Sequence, residues 1–434
     1  MKADTDSMTV VSTDYNGIWY DLGQANEYGS KYSGGLATYT AKHRPLAIYS
    51  SEAKKTFFVY GGAPSAGERY LLCMIGAFDH TQGGFLPPTL VHDKNGVDDP
   101  HDNPSIALDE HGFVWVFVSG RGASRPGYVY RSRYPHDISE FEETACREFT
   151  YPQPIWIRGQ GFFHFFTKYT GLRELYFNCS VDGRNWSKDV KLAGIGGHYQ
   201  LSDVCGNRLA TTFNRHPGGD CDLRTDLYYV ETADMGATWQ TVDGQTISLP
   251  IEQEDHPARV RNYSQDDRLV YMKDLNFDEQ GRPIILILTS SSHQAGPAGA
   301  PRNWEVAHWT GKDWEFSVVT QSTHNYDMGS LYVEGDLWRI IAPTGTGPQQ
   351  WGQGGEIEVW ESVDQGRNWK LVKAITENSL RNHSYVRRPV NAQDDFYAFW
   401  CDGDPTTPSS VNLYYLDRAD YRIQMIRSND ADSK

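Results

Sequence analysis

Short apolar runs separated by polar, glycine-bearing turns dominate the chain. Residues 113–118 (FVWVFV), 162–166 (FFHFF) and 209–213 (LATTF) are strand-sized, and a cationic residue follows each, at Arg121, Lys168 and Arg215. Each run follows a glycine turn, and before each turn lies another strand. Those preceding strands begin near His101, Tyr151 and His198-Tyr199, steps of about fifty residues. The register extends back to His43 and forward to Tyr271, Tyr326 and Tyr385, which makes seven units. No stretch of useful length repeats at 3.6 residues, and only residues 137–147 read as a short helix. About four short strands per unit at this period predict a β-propeller. The expectation is therefore an all-β, single-domain, seven-bladed propeller over residues 1–434 with short terminal extensions. Residues 80–100 and 240–265 read as insertions, and an N-terminal strand is expected to close the ring against the last blade. Two separate β domains would not keep so regular a spacing.

A second repeat supports this reading. Thr232 to Trp239 and Ser362 to Trp369 fit the pattern S/T-x-D-x-G-x-x-W, and Ser180 to Trp186 is one residue short of it. Asp bends the chain by accepting from backbone amides, Gly takes a positive φ, and Trp folds back as a plug. Trp186, Trp239 and Trp369 are accordingly expected between blades.

Composition narrows the partners. With 13% aromatic residues the chain is not a disordered one. Its net charge of −16 repels phosphate backbones, which disfavours nucleic acid. An anionic substrate would need a locally cationic pocket. No apolar run is long enough to span a membrane, and the first residues lack the apolar core of a signal peptide. Six cysteines without a C-x-x-C spacing argue against structural zinc and leave disulfides open.

Propellers place function where the inner strands converge. His43, His101, Tyr151, His198, Tyr199, Tyr271, Tyr326, His383 and Tyr385 should therefore face one another, with Arg121, Lys168, Arg215, Arg387 and Arg388 near the same rim. A ring of His, Tyr and Arg without paired carboxylates suits holding an acidic sugar and moving a proton. No cofactor is required. Asp99, Asp102 and Asp274 offer oxygen ligands for calcium, although no D-x-D-x-D-G loop supports such a site.

Residues 42–50 (KHRPLAIYS), 57–62 (FFVYGG), 102–107 (DNPSIA), 115–121 (WVFVSGR), 125–131 (RPGYVYR) and 151–154 (YPQP) resemble the BNR-repeat (Asp-box) propellers of polysaccharide degradation. That group holds ulvan lyases, rhamnosyl-glucuronate lyases and related rhamnosidases, and the resemblance runs from about Tyr15 to Tyr421. Its lyases carry two histidines and then a Tyr and an Arg; the resemblance implies His80, His101, Tyr199 and Arg215 as catalytic. Tyr151 with Lys168 is the rival pair one blade earlier, and Lys would lose the bidentate grip on a carboxylate. His43, Tyr151, Lys168, His198, Tyr385, Arg387 and Arg388 become the expected substrate contacts. The implied activity is β-elimination at a rhamnose–uronic acid linkage of an acidic polysaccharide, of the ulvan or rhamnose-capped arabinogalactan type. Arg215 and His101 would grip the carboxylate, with His80 or Tyr199 moving protons. A secreted or periplasmic location follows from such a substrate. The alternatives are an exo-rhamnosidase using His43 on the opposite face, and a non-catalytic carbohydrate-binding propeller.

Overall fold

The computed structural model describes residues 15–407 and 409–426. Seven antiparallel sheets follow one another along the chain, over residues 47–93, 104–147, 150–193, 200–262, 269–322, 330–374 and 382–426; they are blades 1 to 7. Four strands of each pair in sequence order, except that blade 4 takes Arg259–Asn262 as its outer strand after two short additional strands. The described residues contain no α-helix. The seven-bladed propeller is therefore the fold.

Burial explains the sequence pattern. Second strands such as Val114–Val118 lie between neighbouring blades, so both their faces are buried and the alternation disappears. Outer strands such as Lys370–Ala374 are largely exposed, apolar Leu371 and Val372 included. The segment expected as a helix is a strand: Phe141–Arg147 pairs with Gly127–Ser132 as the outer strand of blade 2, all of it partly or fully exposed at the sheet edge. Likewise Gly84–Asp93 is no insertion but the outer strand of blade 1.

The three Asp-box turns sit between third and fourth strands. Asp234 accepts from the Thr238 amide at 2.9 Å and Asp364 from the Asn368 amide at 2.9 Å. Gly236 and Gly366 take φ of 85° and 79°, where a side chain is disfavoured. Each Trp turns toward the preceding blade: Trp186 to Phe117, Trp239 to Phe177, and Trp369 to Ser317.

Ring closure differs from expectation. All four strands of blade 7 come from the C-terminal part of the chain, and among the described residues the N-terminal segment adds to them only an isolated bridge between Ile18 and Ser410, residues 1–14 lying outside the described residues. Blade 7 meets blade 1 through a parallel bridge, with Tyr49 N–H to Val390 C=O and Val390 N–H to Ala47 C=O, both 2.9 Å. The N-terminal segment instead runs over one face, where Trp19–Asp21 pairs with Ser33–Gly35, and residues 38–46 then enter the central channel. These last residues separate two pockets, one on each face.

Candidate active site

Inner strands of blades 3, 5 and 7 carry register shifts near their starts, at Tyr151, Lys273 and Tyr385. Tyr151 and Tyr385 adopt φ of 54° and 55° there. Such bulges re-aim side chains. They help bring one residue from the start of each of blades 2 to 7 into a ring at one mouth of the channel, with Tyr39 and Tyr32 of the N-terminal segment beside them. Ring centroids are 5.5 Å apart for Tyr39 and His101, 5.8 Å for His101 and Tyr151, 5.6 Å for Tyr151 and Tyr199, and 5.5 Å for Tyr271 and Tyr326. Tyr385 contacts Tyr39 and Tyr32 contacts Tyr326 to complete the lining. The pocket they line opens at this mouth and measures about 430 Å³ including its open end.

Three cations and no carboxylate line it: Lys42, Arg224 and Lys273. Arg224 is buried with its guanidinium 4.8, 4.5 and 5.0 Å from the rings of Tyr199, Tyr271 and Tyr326. It donates to the Tyr326 hydroxyl at 2.6 Å and to the Cys221 carbonyl at 3.0 Å. Arg173 lies 4.6 Å from the other side of Tyr199 and contacts the Cys221 thiol at 3.2 Å. Burial pushes Lys273 down to about 7, and its Nζ donates to the Asn325 carbonyl at 2.7 Å. Burial and the nearby Arg224 push Lys42 well below the usual lysine range. Arg224 therefore carries the standing positive charge, while Lys42 and Lys273, the latter beside the buried Asp327, would be drawn toward their charged forms by a negative group entering this low-dielectric pocket.

His101 is the histidine of the ring, and a carboxylate outside the pocket orients it. Its Nδ1 lies 2.6 Å from Asp99 Oδ1, and Arg125 binds the other oxygen of Asp99 at 2.7 Å. Burial lowers His101 below the ordinary histidine value despite the raising effect of Asp99, so the neutral ring dominates near pH 7. Asp99 then holds the proton on Nδ1 and leaves Nε2 as an acceptor. Burial raises Tyr199 while Arg173 and Arg224 pull it back, so its hydroxyl stays protonated.

Of the sequence-predicted residues, His101, Tyr151, Tyr199 and Tyr385 meet here, together with Tyr271 and Tyr326. Others do not. His80 binds Thr56 and Asp395, beyond the far end of its strand, because the third strand of blade 1 runs away from the site face. Arg215 turns to Glu254, Asp226 and the Ile195 carbonyl. Lys168 pairs with Asp189 at 3.0 Å and Glu148 at 3.7 Å. His198 is wholly buried, with Nδ1 on the Asn214 carbonyl and Nε2 accepting from the Ile195 amide. Arg387 clamps the Thr38 and Thr40 carbonyls and so holds the channel segment. His383 is held by Trp400 and Ser379, away from the ring.

Arg388 lines the opposite pocket, about 900 Å³ in volume, where it and Arg44 pair with Asp203 and Asp274. His43 borders that pocket, but its ring nitrogens face the His101 carbonyl at 3.0 Å and the Thr40 amide at 3.3 Å. The suggested calcium ligands are engaged by cations: Asp99 by Arg125, Asp102 by Lys94 and Arg125, Asp274 by Arg44. Among the described residues no group of three or more His, Cys, Asp or Glu side chains is arranged to hold a metal. The reading missed Arg173, Arg224, Lys42, Lys273 and Tyr39, none of which sits at a predicted strand end. Lys42, beside His43, offered a local signal.

Residues 81–322, more than half the chain, match the family described as BNR repeat-containing family member. An ulvan lyase of Pseudoalteromonas sp. (strain PLSV) is 21% identical over 255 residues, 50% of this chain and 51% of that protein. An ulvan lyase of Nonlabens ulvanivorans is 22% identical over 329 residues, 64% of this chain and 66% of that protein. The chain thus spans about half to two-thirds of the length of these curated relatives. A solved PL25 ulvan lyase bound to -[GlcA(1-4)Rha3S]- superposes with a TM-score of 0.75 at 17% identity, over 94% of this chain and 96% of that one. The polysaccharide lyase Uly1 does so with a TM-score of 0.61 at 11% identity, over 93% and 99%. At these identities the structures share the fold, and the family match extends through blades 2 to 5, where His101, Tyr151, Tyr199, Arg173, Arg224 and Tyr271 lie. This chain belongs to the BNR repeat-containing family.

Proposed function

We propose that this protein is a polysaccharide lyase that cleaves the rhamnose–uronic acid linkage of an ulvan-type polysaccharide by β-elimination. The observation that carries the reading is a carboxylate-free, cationic tyrosine pocket holding one neutral histidine oriented by Asp99. β-Elimination must remove a weakly acidic C5 proton and expel the C4 oxygen. Arg224, with Arg173 at the mouth, binds the uronate carboxylate and stabilises the enolate-like charge that develops on it. His101 Nε2 takes the C5 proton, the C4–O bond breaks, and the Tyr199 hydroxyl gives its proton to the departing oxygen. His101 then returns a proton to Tyr199 through solvent, and the product keeps a C4–C5 double bond. The ulvan lyase relatives support the substrate class, and such a substrate implies a secreted or periplasmic enzyme.

Incubation with ulvan tests this directly. Growth of the ultraviolet absorbance of an unsaturated uronate is the expected result. Free rhamnose beside a saturated uronate would move the chemistry to the opposite face, and binding without cleavage would leave a carbohydrate-binding propeller.

A further inference from the structure

The course of the N-terminal segment bears on how a polymer reaches the pocket. Residues 16–19 lie over blades 1 and 7, with Asn16 C=O accepting from Ala63 at 2.9 Å and Trp19 N–H donating to Ser409 at 2.8 Å. The chain then crosses to blades 5 and 6 as a two-stranded hairpin, Ala25–Asn26 with Gly29–Ser30. Tyr28 at its tip meets Trp351 of a blade 6 loop, with ring centroids 6.1 Å apart, and packs against Gly296 of a blade 5 loop. The Ser30 carbonyl is 3.1 Å from His324 Nε2. Lys31 pairs with Asp222 of the blade 4 loop, which His293 approaches at 3.4 Å. Tyr32 returns to the pocket wall against Tyr326. One continuous arc therefore rims the site face from blade 1 through blade 7 to blade 5 and ends on the loop of blade 4.

The rest of the rim belongs to blades 2, 3 and 4 and carries a row of guanidinium groups, of which Arg121 and Arg125 also pair with Asp99, and Arg125 with Asp102. Arg121 and Arg125 are 33% and 31% exposed there, and Arg173 stands next along the rim. A polyanion meets guanidinium groups on that side and a hydrogen-bonded wall on the other.

Building on the lyase reading for its substrate, we infer that the pocket is closed at one end and takes only the terminal units of the polysaccharide. The chain enters over Arg121, Arg125 and Arg173, and the arc of residues 16–32 stops its end against Tyr32 and Tyr326. The protein acts from a chain end, and the N-terminal segment is the specificity determinant.

Binding stoichiometry tests this without relying on cleavage. His101→Gln, which leaves the carboxylate grip intact, is titrated calorimetrically with two size fractions of ulvan, one twice as long as the other. One protein bound per polymer chain in both fractions is expected. A stoichiometry that doubles with length, or no binding to either fraction, overturns the inference. The wild type gives the second measurement: unsaturated ends should accumulate while solution viscosity stays nearly constant, and an early collapse of viscosity overturns end action. Loosening the arc with Tyr28→Ser and Lys31→Ser together should lengthen the earliest products. One-per-chain binding with no unsaturated uronate would remove the lyase reading and leave end recognition standing.

Discussion

His101 and Asp99 form a pair in which each residue's role can be measured separately. Replacing His101 by Gln removes the base but not the cations, so turnover should fall by about 10²–10⁴ while oligosaccharide binding persists. Asp99→Asn acts differently. Asp99 raises the His101 pKa against the lowering effect of burial, so loss of its charge lets the folded value fall further. Activity requires neutral His101, and the acid limb of the kcat/KM profile should therefore move to lower pH, with a reduced plateau because the Nδ1 proton is no longer fixed. An acid limb that stays in place would remove His101 as the base. Arg224→Lys keeps a charge but loses the planar fork, and kcat/KM should drop by roughly 10²-fold, as when a transition-state charge loses a donor. Arg215→Lys serves as the contrast. Its guanidinium is occupied by Glu254 and Asp226, and steady-state kinetics should show nearly unchanged activity.

Blades repeat the same element grammar, and the Asp-box turns show how unequal the copies are. Trp239 is 3% exposed and packs on Phe177 and Phe163, whereas Trp369 is only partly buried. Trp239→Ala should cost about 3–5 kcal/mol, and Trp369→Ala distinctly less, by denaturant unfolding. Equal losses would mean that the plug contributes through its turn rather than its packing. This repetition is also why so much was readable in the chain. The tyrosines at Tyr151, Tyr199, Tyr271, Tyr326 and Tyr385 recur at one point of a four-strand unit, so a common register put them around one channel mouth. A strand end gives no such certainty about a long cationic side chain. Arg215 and Lys168 leave their strands at the expected height but swing to acidic neighbours outside the ring. Arg224 and Arg173 belong to a loop and a hairpin end, where neither period nor spacing marks position. His80 resembled a partner of His101 by separation along the chain, yet the alternating direction of strands places it toward the other face.

At the scale of the whole ring, six blade junctions join neighbours consecutive in sequence and one does not. Among the described residues blade 7 and blade 1 meet without an exchanged strand, and their contact there rests on the parallel bridge and on side chains. Phe396 is fully buried in that seam, 5.5 Å from Phe58 and 5.6 Å from Phe78. Phe163, equally buried, packs near Trp239 between blades 3 and 4. Either Phe→Ala change should lower global stability by about 3–5 kcal/mol. Their local consequences should differ, because an open seam separates chain-distant blades while an opened inner junction stays tethered by its short connection. Native-state hydrogen exchange should therefore show faster opening in Lys55–Gly62 and Ala398–Gly403 for Phe396→Ala, with the strands of blades 3 and 4 still protected. Phe163→Ala should raise exchange without favouring the seam. If both variants open the same strands at the same rate, the ring unfolds as one unit and the bridge with the N-terminal arc closes it as firmly as a shared strand would.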